Sequence, residues 1–177
     1  MSRERVLSRA ELNRALLARQ LLLRRARLSV PRAIERVAAL QAQWPPSPFI
    51  ALWSRLEGFR REQLMRAVER RQVVRATLMR TTLHHVTARD YLDYAGELGI
   101  RRTATLEAQI AKFGDGIDLD DLVRQAILHV SEEPRTRPQL LRLLGMPKLE
   151  LDDRRPWLVW QLLSARAGLV HAPASST

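Results

Sequence analysis

The sequence predicts a mainly α-helical protein with short β-hairpins, arranged as tandem winged helix-turn-helix domains of which the second is incomplete. Three observations lead there. Apolar residues recur at helical spacing through most of the 177 residues. The spacing gives way to two β-branched-rich runs over 73–79 and 82–86, as in a pair of short strands. After a Gly-Asp-Gly break at 114–116 the order of helices partly repeats.

Taken in order, Ser8 and Glu11 have the spacing of a capping box, and Leu12, Leu16 and Leu23, with Ala15 and Leu22 beside them, form one face of a first helix. Ser29-Val30-Pro31 opens a second, with Ile34, Val37 and Ala38 as its buried stripe. That helix is expected to end near Trp44, because Pro45 and Pro46 disfavour helical geometry before them. Pro48 begins a short segment with Phe49, Leu52, Trp53 and Leu56, stopped by Gly58. Residues 60–72 read as a third helix, turning Leu64, Ala67 and Val68 inward and Arg61, Arg66, Arg70 and Arg71 largely outward.

Arg80 and Thr81 lie between the two strand-like runs, and Thr87 caps a helix running past Tyr91 and Tyr94. Three helices followed by a hairpin is the order of a winged helix, whose basic third helix and hairpin tip can approach DNA. The implied division is a first winged-helix domain over 1–98, a connecting helix and linker over 99–116, and a second domain over 117–177. In that second domain Asp118 caps one helix, Thr136 precedes another ended by Gly145, and a third spans 153–167. Leu169-Val170-His171 reads as the first strand of a second wing, within which the sequence stops.

Charge narrows the partner. The net charge is +11, and 28 of the 30 basic residues are arginine. Arginine keeps its charge at any relevant pH and offers a planar fork that fits a phosphate, so the excess favours a polyanion over a merely solvated surface. No apolar run approaches membrane-spanning length, and Arg9, Arg14 and Arg19 interrupt the first one, so neither a membrane partner nor an export signal is expected. Cysteine is absent, which excludes disulfides and leaves the reducing cytoplasm as the expected location.

Few constellations suggest chemistry. Asp115, Asp118, Asp120 and Asp121 lack the distal glutamate of a calcium loop and suit a helix N-terminus. His84 and His85 are adjacent in a strand, so they face opposite ways and cannot share a metal. Neither a metal nor a cofactor is expected. The four tryptophans are expected to fill core gaps. Leu40-Gln41-Ala42-Gln43-Trp44-Pro45-Pro46 stands apart. In a regular helix Gln41 would be buried and hydrogen-bonded and Gln43 exposed. Where the chain unwinds before the prolines, the two can face the same side.

The stretches 12–20, 40–43 and 52–59, together with 75–91 (Arg-Ala-Thr-Leu-Met-Arg-Thr-Thr-Leu-His-His-Val-Thr-Ala-Arg-Asp-Tyr), resemble the amino-terminal half of the AlkZ/YcaQ-like winged-helix DNA-binding proteins. Some members of that family are DNA glycosylases. The resemblance implies tandem winged helices around a DNA channel and a catalytic Gln-x-Gln motif that falls on Gln41 and Gln43. It also implies a further winged helix and a β-rich region, which these residues do not contain. The expected function is therefore DNA binding, with repair of alkylation damage by excision of cationic purines. The alternative is a non-enzymatic DNA binder or transcription regulator. Double-stranded DNA is the expected partner, gripped by Arg61, Arg66, Arg70, Arg75 and Arg80, and the expected state is a monomer.

Overall fold

The computed structural model describes residues 6–112, 118–146 and 154–173. The protein is mainly helical, with a small antiparallel sheet. It divides into two compact units: the described residues up to Val74 with His84–Asp90, and Arg75–Leu83 with the described residues from Tyr91 onward.

The first unit begins with α1 (Arg9–Arg19), closed by the expected capping box: the Ser8 side chain accepts from the Glu11 amide, and Glu11 accepts from Ser8 in return. The leucine face of α1 is not a core face. None of its residues is buried, and Leu16 is 60% exposed. The chain rejoins the body of the unit at Leu21, which packs on the core, and at Ala26, which bridges to Leu56. The core itself lies among α2 (Val30–Arg36), α3 (Ser47–Arg55) and α4 (Arg61–Glu69), where Ile34, Leu52 and Leu64 are fully buried. Each such side chain stabilises the fold by about 1.5–3 kcal/mol.

The second helix stops well short of the expected Trp44. It ends at Arg36 with Val37 as cap, and Ala38 then takes a left-handed φ of 71°. Leu40–Gln41 form β1, paired antiparallel with β3 (Leu83–Thr87) in the register Leu40↔His85 and Gln41↔His84. Strand pairing has claimed residues whose apolar spacing would have continued a helix. The strands follow the order β1-β3-β2-β4, with β2 at Val73–Thr77 and β4 at Val170–His171.

In the second unit, α5 (Ala88–Ala111) is one 24-residue helix where the sequence suggested two. Thr87 does cap it, accepting from the Asp90 amide at 3.1 Å. The core lies between α5, α6 (Leu119–Glu132), α7 (Arg137–Leu143) and α8 (Arg155–Arg166), around Ala126, Leu140, Val159, Leu162 and Leu163. Asp118 caps α6 and Thr136 caps α7 in a capping box with Gln139. The acidic residues at 118–121 thus serve a helix start. The glycine break at 114–116, including Asp115, and the start of the expected third helix at Asp153 lie outside the described residues. Val170–His171 pairs with β2, as Ala76↔Val170 and Arg75↔His171, so within this structure it is an added strand of the one sheet.

Candidate nucleic-acid interface

Segment 40–44 carries the first candidate groups. Leu40 and Ala42 are buried, at 5% and 1% exposure, while Gln41 and Gln43 are both exposed. Exposure and burial thus alternate along 40–43, leaving Gln41 at the end of β1 and Gln43 in the bend after it both open to solvent. The buried glutamine considered for a continuous helix does not arise. Several restraints hold the segment. β1 is hydrogen-bonded to β3. The Ser47 Oγ lies 2.8 Å from both the Gln41 and the Trp44 carbonyl oxygens, so its one hydrogen serves both. The Ser47 amide also donates to the Trp44 carbonyl at 3.0 Å. Pro45 and Pro46 fix two further φ angles. A glutamine amide so placed can orient water and present an oxygen dipole to a cation, but it cannot take up a proton as a carboxylate would.

The arginines of α4 face outward as expected, since Leu64 and Ala67 take the core side. Arg61 lies over the Phe49 ring, its guanidinium carbon 4.8 Å from the centroid, which ties the start of α4 to α3. Arg66 donates from Nε to the Glu62 carbonyl at 3.3 Å and is otherwise turned to solvent. Arg70 is the exposed C-cap. These three arginines and both glutamines belong to the first unit, whereas Arg75 and Arg80 belong to the second.

Arg75 is half-buried in β2, opposite His171. His171 is exposed over much of its surface, but partial desolvation of its imidazole, and then the charge of Arg75, hold it below the usual histidine range. Arg80 stands exposed at the hairpin tip, in a 3₁₀ turn over Met79–Thr81. Arg80 and Thr81 both have left-handed φ, 51° and 60°. Without glycine, each costs on the order of 1–2 kcal/mol. The turn is closed by the Leu78 amide donating to Thr82 and the Thr82 amide to Met79, at 3.0 and 3.2 Å.

Trp160 packs against the core of the second unit as expected, but the other three tryptophans are the main correction at this surface. Trp44 and Trp53 are 60% and 57% exposed and Trp157 is 40% exposed, so they do not fill the core. Arg25, not singled out in the sequence, lies 4.3 Å from the centre of the Trp53 ring. The place of Trp44 before two prolines, in a segment that cannot stay helical, was the available signal for an outward indole.

Sequence reasoning also missed Arg102 on α5. Its Nη1 donates to the Thr77 carbonyl and its Nη2 to the Gln161 carbonyl, each at 3.3 Å, and Nη2 also meets the Gln161 side-chain oxygen. Its Nε is buried without a hydrogen-bond partner among the described residues. Burial holds its pKa down, against a smaller raising effect of Tyr91. Arg102 and Tyr91 line a cavity of about 20 Å³ in the second unit, room for one water.

Fold and surface together define a class: a mainly helical, arginine-decorated protein. The chain belongs to the AlkZ-like DNA glycosylase family, whose model matches residues 34–177. It also resembles the solved structure of Streptomyces sahachiroi DNA glycosylase AlkZ, with a TM-score of 0.74 and 21% identity, covering 91% of this chain and 45% of that one. At that identity the likeness establishes the fold. The chain spans less than half the length of that protein. No curated protein matches it. Among the described residues no helix is long and apolar enough to cross a membrane.

Proposed function

We propose that this chain is the DNA-gripping, motif-bearing part of a glycosylase that excises cationic alkylated purines from duplex DNA, built on tandem winged helices. The observation that carries the reading is the pair Gln41 and Gln43, both exposed with Ala42 buried between them, on a segment restrained by β-pairing and by Ser47. An N7- or N3-alkylated purine is already positively charged. When its C1′–N9 bond breaks, the electron pair goes to N9, the base leaves neutral, and the charge passes to an oxocarbenium-like sugar. One glutamine carbonyl faces that cation while the other orients the water that adds to C1′, whose proton is lost to solvent. Neutral bases, which need protonation to leave, are poor substrates for two amides.

Arg61, Arg66 and Arg70 on α4, with Arg75 and Arg80 on the hairpin, supply phosphate contacts. The expected binding has little sequence preference and weakens steeply as salt rises. The test is release of N7-methylguanine from duplex DNA by the wild type, Gln41→Ala and Gln43→Ala. Loss of one positioned dipole lowers such a rate on the order of a hundredfold or more, with DNA affinity nearly intact. If both variants release base at the wild-type rate, the glutamines have no part in the chemistry.

A second reading, a non-enzymatic DNA-binding regulator, draws on the exposed Leu12, Leu16 and Leu17 of α1, since regulators of this kind usually bind two half-sites as dimers. Sedimentation separates the two: a monomer is expected for the glycosylase, and a stable dimer would favour the regulator.

A further inference from the structure

The alternation that buries Leu40 and Ala42 would also turn residue 44 inward, yet Trp44 is 60% exposed. The turn closed from the Ser47 amide to the Trp44 carbonyl carries the side chain out to the solvent side, directly after Gln43. Its backbone is well restrained, with the Ser47 hydroxyl on the carbonyl and two prolines following. The result is a large π surface held in water, against the hydrophobic effect, next to two amides that can serve a positive charge. Indole is the strongest aromatic partner for a cation, and bases stack readily on exposed aromatic side chains.

We propose that Trp44 is the stacking face for the extruded target base, and that it selects a cationic purine over a neutral one of the same shape. This rests on the alkylpurine reading above. Trp44 is a specificity-determining residue here: it holds the flat cation beside Gln41 and Gln43 and takes no part in bond making.

The test uses two duplexes differing at one central nucleotide. One carries N7-methylguanine on a 2′-fluorinated sugar, which resists release. The other carries 7-methyl-7-deazaguanine on the same sugar, a neutral base of the same outline. Affinities are read by fluorescence anisotropy at one salt concentration, with thermal unfolding as the control for folding. The wild type should prefer the cationic duplex by about three- to thirtyfold, the range of a cation–π contact. Trp44→Ala should bring that ratio close to one, with an unchanged thermal midpoint and an affinity for unmodified duplex within about twofold, and Trp44→Phe should restore part of the preference. If Trp44→Ala keeps the wild-type ratio, the proposal is overturned. A wild type that releases N7-methylguanine from an unfluorinated duplex but shows no preference overturns the proposal alone. One that neither discriminates nor releases overturns the alkylpurine reading as well.

Discussion

Gln43 and Gln161 both sit among apolar neighbours in sequence, and the two units treat them oppositely. Gln161 is 8% exposed, and both of its oxygens accept from Arg102, which also reaches the Thr77 carbonyl. Gln43, in the bend after β1, is exposed, as is Gln41. A buried amide must be matched, because an unsatisfied polar group costs about 1–3 kcal/mol, and the match makes it a structural tie between α5, β2 and α8. An exposed amide can exchange one partner for water or a ligand without that penalty. The residue type is the same; burial separates the roles.

The largest effects should follow that division. Gln41→Ala and Gln43→Ala should lose about a hundredfold or more in base release while unfolding within about 0.5 kcal/mol of the wild type. Gln161→Ala should do the reverse. It strips the Arg102 guanidinium of its side-chain acceptor and should destabilise the protein by about 1–3 kcal/mol, with the release rate per folded molecule unchanged. Urea unfolding beside a single-turnover assay checks both. A Gln43→Ala variant that unfolds as readily as Gln161→Ala would erase the distinction.

How far the sequence reveals these two settings depends on how each helix ends. α7 and α8 end at Gly145 and Gly168, both with left-handed φ, and glycine advertises that conformation. In the first unit α1, α2 and α4 are followed by Leu21, Ala38 and Arg71, which adopt the same φ without glycine. The stop before Ala38 therefore left no mark, and apolar spacing carried the expected helix on towards Trp44. Side-chain caps were legible because their bonds are local: Ser8 with Glu11, Thr136 with Gln139, Asp118 with Asp121. The partners of β1 and β4 were not, because His85 is 45 residues from Leu40 and His171 is 96 from Arg75. The glutamine pair was visible as a motif, but whether it faced solvent was decided by that distant pairing. Three of the four tryptophans fared worst, since an indole's size argues for burial, as holds for Trp160, and only tertiary structure assigns Trp44 and Trp53 to the surface.

A middle-sized effect concerns the arginines, which should behave like the exposed glutamines in leaving stability alone. Arg66→Ala and Arg70→Ala should each flatten the slope of log affinity against log salt by about 0.9 if the side chain meets one phosphate. Arg80→Ala should weaken binding without lowering the thermal midpoint, because a turn-tip side chain has little packing to lose. Arg61→Ala should add a small loss of stability, through its contact with Phe49. Titrating duplex DNA at several salt concentrations checks the set; an unchanged slope for Arg66→Ala or Arg70→Ala removes that residue from the interface.

The smallest effect is a pH dependence placed in the second unit. His171 stands opposite Arg75 in the β2–β4 ladder, and partial desolvation of its otherwise exposed ring, followed by the Arg75 charge, lowers its pKa below the ordinary value of 6.5. In the unfolded chain the imidazole takes up its proton near that ordinary value; in the folded protein it does so only at lower pH. Over the window between the two, the unfolded state binds more protons, so stability rises with pH. The contribution is fully present above about pH 6.5 and is lost as pH falls through the folded-state value. Amide exchange at Arg75 and Ala76 should therefore quicken on acidification through this window, relative to its own chemical rate, more than exchange at Leu40 and Gln41 does. His171→Gln should remove the difference. If the ladder holding Gln41 loosens equally, or if His171→Gln leaves the acid sensitivity in place, the titration belongs to some other group and the two units do not differ in this respect.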